Sequence, residues 1–279
     1  MINYLYKHSN ILIFFSINFF VVLFSTWQAS YNSDGHHFGL LLSNAYDLLD
    51  GKIPYKEIFI QYGILTTIIH SLSLKVFGNL LSIIIITAIL YGSSIFIIYL
   101  ISKKLFNDQT LSYSLLLILF FYHPLAIYPW SNYLAFFFIC FGLYFMAESF
   151  YNYKLRNLYL FFTGTFFSLG ILARENSFIS IISILVIYLF YNLFKIYCNK
   201  KNVTKIRLKN YLILFLGLII PIFIFIYYIS SNNLLHYWLS HAYQVPETYI
   251  SLTPYLSHYL FWLPLFETAI KFAFQLDLR

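Results

Sequence analysis

Acidic, imidazole and cationic side chains crowd into one stretch of an otherwise apolar chain. Ser30 to Tyr62 reads SYNSDGHHFGLLLSNAYDLLDGKIPYKEIFIQY and holds Asp34, Asp47, Asp50 and Glu57 with the pair His36-His37. Asp34 lies between Ser33 and Gly35, with little apolar bulk beside it. A carboxylate so placed can take the proton of an acceptor hydroxyl during group transfer, provided it comes within hydrogen-bond reach. It can equally cap a helix starting just after it, where a carboxylate satisfies free backbone N–H groups. Adjacent histidines on a helix point about 100° apart, so His36 and His37 do not share an ion, although one of them can contact substrate. No HxxxH or HExxH spacing and no paired carboxylates occur, so neither a bound metal nor another cofactor is expected.

Cations supply the complementary chemistry. Arg174-Glu175 interrupts two apolar runs, and an arginine there can hold a phosphate through two parallel hydrogen bonds while Glu175 orients it. An ordinary interfacial ion pair fits the same residues. Lys52 and Lys56 flank Pro54-Tyr55 and can serve a phosphate too, or merely extend toward the interface. In a late polar and aromatic loop, Ser230 to Ser257, His241, Tyr243 and Glu247 are candidates to line a cavity, whereas Trp238 and the many tyrosines fit an interfacial belt. Glu267 sits in a late apolar run and should face protein or water.

The elements that must position these groups are membrane helices. Of 279 residues, 61% are hydrophobic and 10% charged, against about 25% charged in soluble domains. Mean hydropathy is +0.74. The pattern predicts an all-α polytopic bundle of about eight spans: 11–27, 80–101, 110–127, 133–150, 158–172, 178–194, 211–229 and 258–274. The long loop 28–79 follows the first span, which is read as retained rather than cleaved. Within the loop, Phe38, Leu41, Leu42, Ala45, Leu48 and Leu49 fall mostly on one helical face, which predicts an amphipathic helix ended by Asp50-Gly51. A second short helix or interfacial segment is expected over 57–77.

Charge sets the expected orientation. With the N-terminus inside, twelve Lys or Arg fall on the cytoplasmic side, half of them in 195–209, and four (Lys52, Lys56, Lys75 and Arg174) on the other. Loop 28–79, the Arg174 turn and the late loop then share the extracytoplasmic face of a plasma membrane. The net charge of +7 is that of basic inner loops contacting membrane lipids, not of a nucleic-acid partner. Cys140 and Cys198 suggest neither a disulfide nor a metal site.

One span, an Asp-Gly-containing amphipathic loop, the segment DLLDGKIPYKEIFIQYGIL and a Phe77-Gly78-Asn79 turn into the next span together resemble the GT-C membrane glycosyltransferases. The likeness is greatest to bacterial relatives of the protein O-mannosyltransferases and of the aminoarabinose transferases that modify lipid A. The resemblance implies a helix bundle with two juxtamembrane helices in its first external loop. It also implies a polyprenyl-phosphate-linked sugar donor and a hydroxyl acceptor on a lipid, glycan or protein. Asp34 matches the aspartate proposed as catalytic base in those families, Pro54-Tyr55 a characteristic pattern, and Glu57 a position where many relatives carry an acid. Arg174 is the nearest candidate for their phosphate-holding base. Such proteins commonly have more spans and often a C-terminal extracytoplasmic domain, so a shortened or minimal member is expected. The competing reading is a transporter or flippase of lipid-linked sugars, or an inactive accessory subunit; the scarcity of charge within spans weighs against ion-coupled transport.

Overall fold

In a computed structural model the described residues are 9–31, 35–60, 62–106, 108–122, 128–198 and 204–241. The expected span 258–274, Glu267, Tyr243, Glu247 and Asp34 itself lie outside them, as does the side chain of His36. Among these described residues ten helices run in order: α1 Ser9–Tyr31, α2 Gly35–Leu49, α3 Ile64–Phe77, α4 Leu80–Phe106, α5 Gln109–Tyr122, α6 Ser131–Tyr151, α7 Arg156–Ala173, α8 Ser177–Cys198, α9 Thr204–Ser231 and α10 Leu235–Leu239. Among the described residues there is no sheet, and five helices are long and apolar enough to cross a membrane: α1, α4, α6, and the 177–194 and 209–231 parts of α8 and α9. The protein is an all-α, multi-pass membrane bundle.

Burial of apolar surface gives little drive for helix association in lipid, so close backbone approach and internal hydrogen bonds matter more. The α7–α9 contact shows this. A methyl group on Gly164 would lie 2.1 Å from the Leu214 carbonyl, and one on Gly217 would lie 2.0 Å from that of Phe161. The Ser168 hydroxyl donates across the same seam to the Leu218 carbonyl. On its other side α7 packs along α6, with Phe141 stacked on Phe166. A second cluster joins α1, α4 and α5 through Val21, Ala88, Tyr91, Ile95, Tyr99 and Leu116.

The connections meet at two ends. At one, Lys104 pairs with Glu148, and Asn10 receives hydrogen bonds from Tyr99 and Lys103. At the other, Gln28 bonds Tyr128, Arg174 lies over Tyr62 and Trp130, and Trp238 bonds Glu175. All the candidate groups with described side chains are at this second end.

Two short helices follow α1. The α2 face carrying Leu42 and Ala45 is covered by Leu74 and Ile83 of α3 and α4, and its buried Asn44 donates to the Phe59 carbonyl at 2.8 Å. Gly51, at φ +83°, turns the chain out of α2. The second helix starts at Ile64, not Glu57. Pro54, the left-handed Tyr55 and the bond from the Ile53 N–H to Glu57 Oε2 (2.7 Å) close 53–58 into a compact loop first.

Candidate functional site

The site grows from the end of α7. After Ala173 the backbone leaves the helix at Arg174, extended at φ −152°, and re-enters at α8. The turn closes on bonds from the Ser177 N–H to the Arg174 carbonyl and from the Phe178 N–H to the Glu175 carbonyl, both 3.0 Å. Consecutive side chains therefore diverge. Arg174 and Asn176 face a cavity of about 530 Å³, while Glu175 points elsewhere.

That cavity is bounded by α4, α5, α6 and the start of α8. Ile95, Ile98, Leu119, Phe136 and Ile139 make its interior apolar, and Arg174, Asn132, Asn176 and Ser177 gather polar groups at one end. Its size suits a small-molecule or lipid segment. The guanidinium donates to Ser131 Oγ at 3.3 Å and lies 5.5 Å from the Tyr62 ring centroid and 5.6 Å from that of Trp130, within cation–π range. Among the described residues no carboxylate pairs with it. Burial lowers its pKa from the usual arginine value, while the Tyr62 hydroxyl partly offsets that shift. A half-buried cation with no described carboxylate beside it favours an anion.

Glu175 is turned the other way. Its Oε1 accepts the Trp238 indole N–H at 3.1 Å. Burial raises its pKa, and the Trp238 bond partly offsets that effect. Arg174 therefore does not pair with Glu175 as expected; it meets Tyr62, Trp130 and Ser131, while the acid ties the turn to the segment after α9. Tyr55 reaches this side as well. It is 2% exposed and sits at φ +67°, a strained conformation for an aromatic residue. Among the described residues its buried hydroxyl has no partner of hydrogen-bond geometry, although the Glu175 charge and the Ile64 N–H both act on its ionisation. Desolvation first, then Glu175, pushes that phenol well above its usual value.

The remaining candidates divide clearly. His241 packs against Tyr55 and Phe59, ring centroids 5.8 and 5.1 Å away, and burial lowers its pKa. Lys52 pairs with Asp47 at 2.5 Å, and Asp47 raises its pKa by hydrogen bond and charge. Lys56 is exposed, and Glu57 is engaged by the Ile53 N–H of its own loop. The structure therefore brings Tyr55, His241 and the Arg174-Glu175 turn together, and it holds Lys52 and Glu57 in local contacts. Sequence reading missed Tyr62, Ser131 and Asn132 as neighbours of Arg174. Their one signal is the break at Pro129-Trp130-Ser131-Asn132 between apolar runs. No cluster of three or more His, Cys, Asp or Glu fit to hold a metal occurs among the described residues.

Gly63 fixes the loop against this turn. A methyl group on it would lie 2.1 Å from the Leu172 carbonyl oxygen, so only glycine permits the approach. Thr66, one turn later, donates to the Ala173 carbonyl at 2.7 Å. Gly63 and Thr66 thus fasten the start of α3 to the end of α7, just before Arg174.

The bundle thus carries two short helices after its first span and a half-buried arginine at one end of an apolar cavity. The chain matches the family described as dolichyl-phosphate-mannose-protein mannosyltransferase over residues 63–225, more than half its length, and it belongs to that family. It is a membrane protein of the GT-C glycosyltransferase type. The matched stretch begins at Gly63 and includes Arg174. No curated protein and no solved structure matches the chain.

Proposed function

We propose that the protein transfers a sugar from a polyprenyl-phosphate donor to a hydroxyl of a lipid, glycan or protein on the extracytoplasmic face of the plasma membrane. The observation that carries this reading is the Arg174 guanidinium. It is half-buried, unpaired with any described carboxylate, and placed where polar groups meet the apolar interior of the 530 Å³ cavity. A phosphate on Arg174 with an isoprenoid chain running between α4, α5 and α6 satisfies both halves of that surface. The family description, which names a dolichyl-phosphate sugar donor and a protein acceptor, supports the donor class. The side of the membrane rests on the distribution of Lys and Arg.

In the transfer, the acceptor oxygen forms a bond to the anomeric carbon while the bond from that carbon to the phosphate oxygen breaks. The electron pair leaves with polyprenyl phosphate, and the acceptor proton passes to Asp34. Asp34 is assigned by resemblance and by its place beyond the end of α1. Arg174 offsets the charge that grows on the leaving phosphate. Asn132, Asn176 and Ser177 offer hydrogen bonds at the same end of the cavity, and His241 and Tyr55 pack together on the Glu175 side of the turn, where they are candidate contacts for the acceptor. Lys56, exposed in the same loop, is an outer contact for donor or acceptor.

The test is consumption of a panel of polyprenyl-phosphate sugars by purified wild type, Asp34→Asn and Arg174→Gln. Asp34→Asn is expected to lose about 10²–10⁴-fold in turnover, the worth of a positioned general base, with the protein still inserted and folded. Arg174→Gln should weaken donor use about 10- to 100-fold. Full activity in Asp34→Asn would remove the base assignment, and full activity in Arg174→Gln would remove the phosphate site.

A further inference from the structure

The geometry points to Glu175 as a positioning residue for Arg174: by holding the Trp238 indole it locks the turn so that the side chains on either side of it face the cavity. This inference rests on the reading of Arg174 as a phosphate site.

Four observations support it. Arg174 and Asn176 line the cavity and Glu175, between them, does not. Glu175 is bonded at 3.1 Å to Trp238, a residue 63 positions away in sequence. Trp238 is itself seated, with its backbone N–H on the Leu234 carbonyl at 2.9 Å and its ring 5.7 Å from Phe225 of α9. The Arg174 side chain, by contrast, has a single described hydrogen bond, to Ser131 at 3.3 Å; the aromatic faces of Tyr62 and Trp130 limit its position without fixing its direction.

The direction of Arg174 is therefore set largely by the backbone of its turn. That short turn is fastened ahead of Arg174 by the Thr66 bond to the Ala173 carbonyl, and beyond Arg174 by the Glu175–Trp238 bond on the side away from the cavity. If the bond is lost, the buried carboxylate must seek water or another donor, and the turn can rotate Arg174 off the cavity axis. A displacement of about 1 Å is enough to spoil a bidentate phosphate contact. Glu175 touches neither the cavity nor any reacting atom, so its effect is felt through Arg174.

The experiment uses the full chain in detergent with radiolabelled farnesyl phosphate as probe and farnesol as the uncharged control. Glu175→Ala and Trp238→Phe should each weaken farnesyl phosphate binding about tenfold, as expected for loss of a charge-assisted hydrogen bond, and leave farnesol binding unchanged. The double variant should be no weaker than either single one. Glu175→Gln keeps an acceptor for the indole and should bind within about twofold of wild type. Equal loss of both ligands would show a merely structural role and overturn the inference, as would Glu175→Gln binding as weakly as Glu175→Ala. If Arg174→Gln loses farnesyl phosphate while Glu175→Ala keeps it, the positioning role falls and the phosphate site stands. If Arg174→Gln itself binds normally, the phosphate site falls first.

Discussion

Gly63→Ala is the substitution by which the link between loop 50–63 and the Arg174 turn is most directly strained. The added carbon would lie 2.1 Å from the Leu172 carbonyl oxygen, 2.6 Å from the Ala173 carbonyl carbon and 2.7 Å from that of Leu172, whereas ordinary contact begins near 3.4 Å. All three are backbone atoms at the end of α7, so no side-chain rotation can relieve the overlap. Loop and turn must part by about 1 Å, from the difference between 3.4 and 2.1 Å. The Thr66 bond to Ala173, at 2.7 Å, is then broken or lengthened, and Tyr62 moves relative to the guanidinium it now faces at 5.5 Å. Overpacking of this kind costs about 1–3 kcal/mol, and the lost hydrogen bond about 1 kcal/mol more. Misplacing a binding group by about 1 Å can reduce turnover about 100-fold. Donor consumption and thermal unfolding in detergent report the two effects separately. Gly63→Ala is expected to melt lower and to lose more than tenfold in turnover. Wild-type melting and turnover together would refute the proposition that Gly63 holds the start of α3 against the Arg174 turn.

Other perturbations have equally definite outcomes. Gly164→Ala places a carbon 2.1 Å from the Leu214 carbonyl and 2.6 Å from the Leu218 nitrogen, so the α7–α9 seam should open, with about 1–3 kcal/mol lost and faster cleavage in limited proteolysis. Glu175 gives a pH signature. Because burial raises its folded-state pKa above the ordinary value of 4.5, the folded protein holds a proton that the unfolded chain has released. Stability from this group therefore falls as pH rises from about 4.5 through the raised value. Unfolding followed across that window should be flatter in Glu175→Gln than in wild type; identical slopes would contradict the burial of this carboxylate.

Much of this was legible because charge is conspicuous in an apolar chain. The stretch from Ser30 to Tyr62, the Arg174-Glu175 turn and the helical spans stand out by composition, and family resemblance carries the GT-C build. The surroundings of Arg174 were not legible in the same way. Phe and Tyr number 32 and 27, so nothing in their spacing distinguishes Tyr62 from lipid-facing rings; only the fold selects it, whereas Tyr55 stands out by the resemblance of Pro54-Tyr55 to the family pattern. Glu175 reads as a partner of the arginine beside it, because neighbouring opposite charges suggest a pair. The extended backbone at Arg174 separates the two side chains instead, and Trp238, far along the chain, takes the acid. Lys52 reads as a free interfacial cation, yet the turn at Gly51 folds it back onto Asp47. The start of α3 was misjudged because Glu57 favours a first helical turn, while Tyr55 in the left-handed region and Glu57 bonding Ile53 close a loop before the helix begins.

The central claim is that the donor's phosphate sits on Arg174 with its isoprenoid chain in the cavity below. Photolabelling with a diazirine-bearing polyprenyl phosphate, followed by mass-spectrometric mapping, tests it most directly. The account predicts label on the cavity walls at Ile95, Leu119 and Phe136, competed by unlabelled polyprenyl phosphate and sharply reduced in Arg174→Gln. Label confined to the outward faces of α8 and α9, where Phe190 and Phe223 are exposed, and unchanged in Arg174→Gln would contradict it.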